Sequence, residues 1–188
     1  MDLVLINPNC RTQVYQSLGK TLAACEPPIW AATLAAFVRN HDFQVAVIDA
    51  NAEQLSHEET ACRAIAMRPR LIGVVAYGHQ PSASTQVMPA AGKVCEELTD
   101  LGDKAFVMLL GGHVAALPEK TVAEEAVDGV AGGEGLWTLV DMLRGEREPR
   151  GLYQRADFRD TVIKGPPAPL VSMQEMPFPA WDLLPMNL

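Results

Sequence analysis

The chain has 188 residues, 15 basic against 23 acidic side chains for a formal net charge of −8, and 48% hydrophobic against 20% charged residues. That composition is globular, and a chain of this length buries roughly 70% of its extended surface without a disulfide framework. The acidic balance argues against nucleic acid, whose backbone is bound by Lys and Arg displacing counterions, and no apolar run approaches the roughly 20 residues that span a bilayer.

Five short apolar runs follow one another along the chain. Leu3 to Ile6 ends at Asn7-Pro8, Val45 to Ile48 at Asp49, Leu71 to Ala76 at Tyr77-Gly78, Ala105 to Leu110 at Gly111-Gly112, and Gly129 to Ala131 at Gly132-Gly133. Runs this short and without polar alternation predict parallel strands buried on both faces. Helical patterns lie between them. Pro27-Pro28 opens the first, with Trp30, Leu34, Phe37 and Val38 on one face. Ser56-His57-Glu58-Glu59 is a capping-box signature for the second. Val87, Ala91, Val94 and Leu98 mark a third, Pro118 to Ala126 a short fourth, and Leu136, Leu139, Val140 and Leu143 a fifth that stops at Gly145. The expected fold is α/β, a flavodoxin-like doubly wound parallel sheet of five strands in the order 2-1-3-4-5, with helices on both faces.

The periodic pattern stops at Gly145, and seven of the 14 prolines fall in the last 40 residues. The chain therefore divides into a domain over 1–146 and a proline-rich segment over 147–188. Gly151 to Arg155 and Thr161 to Gly165 are expected to pair as a hairpin around Asp157-Phe158. Beyond it the segment reads either as a linker or, through Phe178, Trp181, Leu183 and Leu184, as a surface that docks on a neighbouring domain.

In an open parallel sheet the ligand crevice lies at the carboxyl ends of the strands, at the switch in order between the first and third. The connection after strand one, from Asn7 to Glu26, is about twenty residues where two to six are usual. Strand three is followed by the hydroxyl-rich AYGHQPSAST, strand four by GGH and strand five by GGEG. Each glycine alone is an ordinary turn residue; several at one sheet edge let backbone approach a ligand. His113 fits a base, a ligand or a plain polar surface residue, and Glu134 fits a helix N-terminus, where a carboxylate is favoured.

Absent motifs narrow the chemistry. There is no GxGxxG after strand one, no GxxxxGK[ST] and no GxSxG elbow. Cys10, Cys25, Cys62 and Cys95 lie far apart, forming neither CxxC nor CxxxCxxC, and read as free thiols of a cytoplasmic chain. The start, MDLVLINPN, lacks the basic region of a signal peptide.

INP at 6 to 8, EPPIWAATLAAFVRNHDFQVAVIDAN at 26 to 51, LIGVVAY at 71 to 77, LLGGHVAALPE at 109 to 119, DGVAGGEGLWTLVDML at 128 to 143 and EMPFPAWDLLPM at 175 to 186 occur in this order. Together they resemble the N-terminal cobalamin-binding domain of cobalamin-dependent radical S-adenosylmethionine enzymes. The second resembles that family's PP-x5-LA-x-x-LR-x-x-G-x-x-V-x3-D pattern, with Asn40-His41-Asp42 at the glycine turn. The last resembles the connector leading into the radical domain.

The resemblance implies cobalamin at the strand ends. Pro8, Asn9, Pro27 and Pro28 would flank the ring, with Asp49, Ala76, Tyr77 and Gly78 at the second and third strand ends. Ser82, Ser84, Gly111, Gly112, Gly132 and Gly133 would line the path of the nucleotide tail, and His113, Glu134 and Gly135 complete the cofactor-binding candidates. The DxHxxG motif that supplies a lower cobalt ligand in other cobalamin domains is absent, so no metal ligand is assigned, with Tyr77 and His79 as residues able to approach that face. The implied role is to present cobalamin, as a methyl carrier, to a radical domain in cis or in trans. The iron-sulfur cluster and S-adenosylmethionine would belong to that domain or partner, and the chain would not be catalytic alone. The alternatives are an interaction or sensory module of the same fold without cofactor, and a flavin-binding domain.

Overall fold

A computed structural model describes residues 1–11, 26–78, 81–102, 104–156 and 161–187. The elements are β1 (Leu3–Asn7), α1 (Ile29–Arg39), β2 (Val45–Asp49), α2 (His57–Ala66), β3 (Leu71–Val75), α3 (Pro81–Asp100) and β4 (Phe106–Leu110). They continue with α4 (Gly112–Ala116), α5 (Pro118–Glu124), β5 (Gly129–Ala131), α6 (Leu136–Arg144), β6 (Leu152–Arg155), β7 (Val162–Lys164) and a 3-10 turn at Trp181–Leu183.

The strands form one sheet in the order β2-β1-β3-β4-β5-β6-β7. The first five are parallel in the expected order, and β6 and β7 extend them in antiparallel pairing. The anticipated hairpin thus joins the main sheet, making seven strands rather than five. Its tip at Asp157-Phe158 lies outside the described residues.

Alternation along the strands divides the core in two. Leu3, Leu5, Val75 and Leu110 face α1 and α6, while Val4, Ile6, Val74 and Leu109 face α2, α3, α4 and α5. Both faces are covered, which is why the strands read as unbroken apolar runs. Small residues Ala31, Ala32, Ala35 and Ala36 bring α1 close to the sheet. The capping box of α2 is formed, with the Glu59 amide donating to Ser56 Oγ at 3.1 Å and the Ser56 amide to Glu59 Oε2 at 2.8 Å.

The last segment packs back on the α1 and α6 face. Val171, Ala180 and Leu184 are buried in that core, Leu183 packs against it, and the Ala180 amide donates to Ala32 O at 3.0 Å. Phe178 instead stands 93% exposed. The group of four aromatic and leucine residues therefore splits, its two leucines serving this domain's own core.

The turn into the hairpin is pinned by one ion pair. Asp141, 5% exposed at its side chain, accepts from the Arg150 amide at 3.0 Å, from Nε at 2.7 Å and from Nη2 at 2.7 Å. The Arg150 guanidinium also lies 4.5 Å from the Trp137 ring centroid. Burial alone would raise the Asp141 carboxyl, but the Arg150 bonds outweigh it and hold the group below the ordinary aspartate range. Asp141→Asn is expected to cost about 2–4 kcal/mol in urea unfolding, since it removes the charge while leaving Arg150 in place. The difference from wild type is expected above the ordinary carboxylate range and to shrink as pH falls through the depressed value, where wild type also loses the charge.

Candidate functional site

Strands β1 and β3 are neighbours, yet α1 lies on one face of the sheet and α3 on the other. Between their carboxyl ends lies a cavity of ≈ 390 Å³. Asn7, Pro8, Cys10 and Arg11 line it from the end of β1, and Tyr77 and Gly78 from the end of β3. Pro27, Pro28 and Trp30 close one side at the start of α1; Ala83, Gln86 and Val87 of α3 close the other. The cavity occupies the crevice expected from strand order.

Its outer wall is aromatic. The Trp30 and Tyr77 rings stack with centroids 4.8 Å apart and planes inclined by 21°. Burial, and then the negative charge of Glu134, push the Tyr77 phenol above the ordinary tyrosine range. Tyr77 therefore presents a neutral ring and a protonated hydroxyl. Trp30 was expected on the core face of α1, but it is 45% exposed. The helix starts beyond the strand ends, so a first-turn residue aligned with Leu34 and Phe37 meets the crevice instead of the sheet.

Of the sequence-derived candidates, Pro8, Pro27, Pro28, Tyr77 and Gly78 meet at this cavity. Asn9 and Asp49 are used within the fold. Asn9 Nδ2 donates to Leu55 O at 3.1 Å. Asp49, 2% exposed, accepts from Asn7 Nδ2 at 2.8 Å and from the Ala52 amide at 3.1 Å. Burial raises the Asp49 carboxyl despite these bonds.

The next strand end is held by Ser84, which lies in α3 rather than in the anticipated loop. Its hydroxyl donates to Ala76 O and accepts from the His113 amide at 3.0 Å. Ala76 in turn donates its amide to Leu110 O at 2.7 Å, and His113 Nδ1 lies 3.0 Å from Thr85 Oγ1. Gly111 is required here by close approach, because a Cβ would overlap the Ala76 carbonyl. At Gly112 a Cβ would make only ordinary contact with Ser84, 3.6 Å away. The Ser82 side chain, Cys25 and His79 lie outside the described residues.

After β5, Gly132 packs against the Tyr153 ring, and Gly135 starts α6 at φ 83°. Gly133 has no neighbour within 4 Å of a Cβ and opens on free space. Glu134 does not cap α6 with its side chain; Oε2 accepts from the Val171 amide at 3.3 Å, tying the last segment to the strand ends. Sequence reasoning did not select Asn7, Trp30, Gln86 or Val87 as site residues. Asn7 carried a signal in its strand-ending Asn-Pro, whereas Gln86 and Val87 looked like ordinary helix positions.

The cavity lining combines rings and prolines with polar and charged side chains, Arg11 and Glu26 among them. Among the described residues no group of three or more His, Cys, Asp or Glu is placed to hold a metal ion. The stacked rings give the cavity a flat apolar wall, and at the end of β5 the backbone at Gly133 opens on free space.

Comparison with known proteins supplies the family. A family model described as the B12 binding domain matches residues 15–143. An uncharacterized methyltransferase of Pyrococcus horikoshii is 32% identical over 194 residues, covering 100% of this chain and 39% of the relative. An anaerobic magnesium-protoporphyrin IX monomethyl ester cyclase of Rubrivivax gelatinosus is 23% identical, covering 97% of this chain and 31% of the relative. This chain thus spans well under half the length of either curated relative. Among solved structures, the radical S-adenosylmethionine methyltransferase TsrM of Kitasatospora setae, with cobalamin and a [4Fe-4S] cluster bound, has a TM-score of 0.68 at 18% identity, covering 95% of this chain and 31% of that one. The cobalamin-dependent radical enzyme OxsB with aqua-cobalamin bound has a TM-score of 0.69 at 15% identity, covering 97% and 24%. At those identities the structural likeness establishes the fold.

The raised phenol of Tyr77 has a measurable signature. Ultraviolet titration of wild type minus Tyr77→Phe is expected to show Tyr77 ionising above the ordinary tyrosine range, and Glu134→Gln is expected to lower that midpoint. A raised folded value means that this contribution to stability is present below the ordinary tyrosine range and is lost as pH rises through the shifted one.

Proposed function

The chain belongs to the B12-binding domain family, whose cofactor is cobalamin, and from that premise we propose that it holds the corrinoid across the carboxyl ends of its parallel strands and presents it, as a methyl carrier, to a radical S-adenosylmethionine domain in cis or in trans. The observation that carries this reading is the cavity at the β1/β3 switch, lined by Trp30 and Tyr77 with their rings stacked on one another.

Cobalamin, when bound, supplies a cobalt centre able to carry and release a methyl group, and the protein supplies binding and orientation. Tyr77, Trp30 and the two prolines at 27 and 28 would exclude water from the side of the ring nearest α1. The backbone of Gly112 and Gly133 would meet the amide groups of the corrin, which take hydrogen bonds rather than ion pairs. Ser84 would act indirectly, because its hydroxyl already joins Ala76 to His113 and fixes the spacing of two strand ends. Pro8 would sit on the β1 side of the same crevice, while Asn9 and Asp49 would hold the shape of its floor.

The methyl-carrier role draws on two further supports. The P. horikoshii relative is named as a methyltransferase, and TsrM is described as a radical methyltransferase. The CxxxCxxC needed for an iron-sulfur cluster does not occur in these 188 residues, so radical chemistry would come from elsewhere. The segment over 147–188 would then be the connector on the radical-domain side.

Protein mixed with hydroxocobalamin and passed through gel filtration is expected to carry the corrinoid absorption bands in its own peak. Elution of all colour as free cofactor, with folded protein, would overturn the reading in favour of an interaction module. Gly133→Leu sharpens the result, since its Cβ meets nothing in the fold. It is expected to leave the unfolding midpoint in place and weaken binding about tenfold or more, equivalent to at least ~1.4 kcal/mol.

A further inference from the structure

Trp30 is out of place as a core residue. In α1 the buried positions are Ala31, Ala32, Leu34, Ala35, Ala36, Phe37 and Val38, whereas Trp30 keeps nearly half its surface open to solvent while Tyr77 covers it by stacking. Its neighbour Ile29 is also exposed. A large aromatic ring in the first turn of a helix, supported from one side and open on the other, offers flat apolar area at little conformational cost because its orientation is already set.

Size gives that surface a use. Drug-sized ligands occupy pockets of roughly 300–1,000 Å³. A corrinoid with its nucleotide tail is larger than such a ligand, while the cavity measures ≈ 390 Å³. Only part of the cofactor fits inside, and the remainder must lie across the mouth, where the rings of Trp30 and Tyr77 form the wall. Their stacking makes one platform from a residue in the first turn of α1 and a residue at the end of β3, both on the α1 side of the crevice.

Resting on the cofactor reading above, we infer that Trp30 is a corrinoid-contact residue, its indole supported by Tyr77 to form a platform against which the macrocycle packs at the mouth of the cavity. The ring, rather than general bulk or charge, carries this role. Phenylalanine at the position preserves most of the platform; alanine removes it and leaves Tyr77 without its stacking partner.

The test titrates hydroxocobalamin into wild type, Trp30→Ala and Trp30→Phe by equilibrium dialysis, with thermal unfolding of each protein alone and with cofactor. Wild type and Trp30→Phe are expected to bind within about threefold of one another. Trp30→Ala is expected to bind roughly tenfold to a hundredfold more weakly, with its own unfolding midpoint within a few degrees of wild type and a smaller rise on adding cofactor. Equal affinity of wild type and Trp30→Ala overturns the platform and leaves the cofactor reading standing. Absence of binding by all three folded proteins overturns the cofactor reading and the platform with it. Weak binding by Trp30→Phe equal to that of Trp30→Ala also overturns the role assigned to an aromatic ring at this position.

Discussion

Neighbouring strands β1 and β3 send their connections to opposite faces of one sheet, and the candidate site follows from that constraint. Parallel strands need long crossovers, so each strand end must hand its chain to a helix on one side or the other. Where two adjacent ends turn opposite ways, a crevice opens between their carboxyl ends. In this protein the gap is bounded by the start of α1 and the first two turns of α3, with Pro27, Pro28 and Trp30 on one side and Gln86 and Val87 on the other. The stacking of Trp30 on Tyr77 joins a helix start to a strand end on the α1 side.

Backbone satisfaction then decides which strand-end groups remain for a ligand. Ala76 is committed in both directions, through Leu110 O and Ser84 Oγ. The Gly132 amide donates to Gly151 O at 2.7 Å as the hairpin begins. With these groups paired inside the fold, the carboxyl edge is committed at Ala76 and Gly132 and open at Gly133. The hairpin and the segment after it extend the same frame. Arg150 and Asp141 fix its start, Val171 is tied to Glu134, and Ala180 is tied to α1.

Strand positions were legible because burial on both faces leaves an unmistakable pattern: Leu3 to Ile6 and Phe106 to Leu110 contain only apolar residues. The capping box at Ser56 and Glu59 was equally legible, as it depends on four consecutive positions. Long-range choices left weaker traces. Nothing local in Gly151 to Gly165 states that its hairpin will pair with β5. The start of α3 was hidden because Ser84 and Thr85, hydroxyl residues common in loops, here make their bonds at the beginning of a helix to Ala76 and His113. Trp30 was misassigned for a geometric reason: helical period gives direction around the axis but not how far the helix extends beyond the sheet. The family resemblance read from ordered motifs and the B12 binding domain match point the same way, whereas the contribution of Trp30 required the fold.

Hydrogen–deuterium exchange with and without hydroxocobalamin tests the central claim, cofactor seated at the β1/β3 switch. The account predicts slower exchange for the backbone around Tyr77 and Gly78, His113 and Gly133 to Glu134, with no change at the opposite sheet edge around Asn40 to Gln44 and Arg68 to Arg70. Protection confined to that opposite edge, or no protection while cobalamin remains bound, would contradict it.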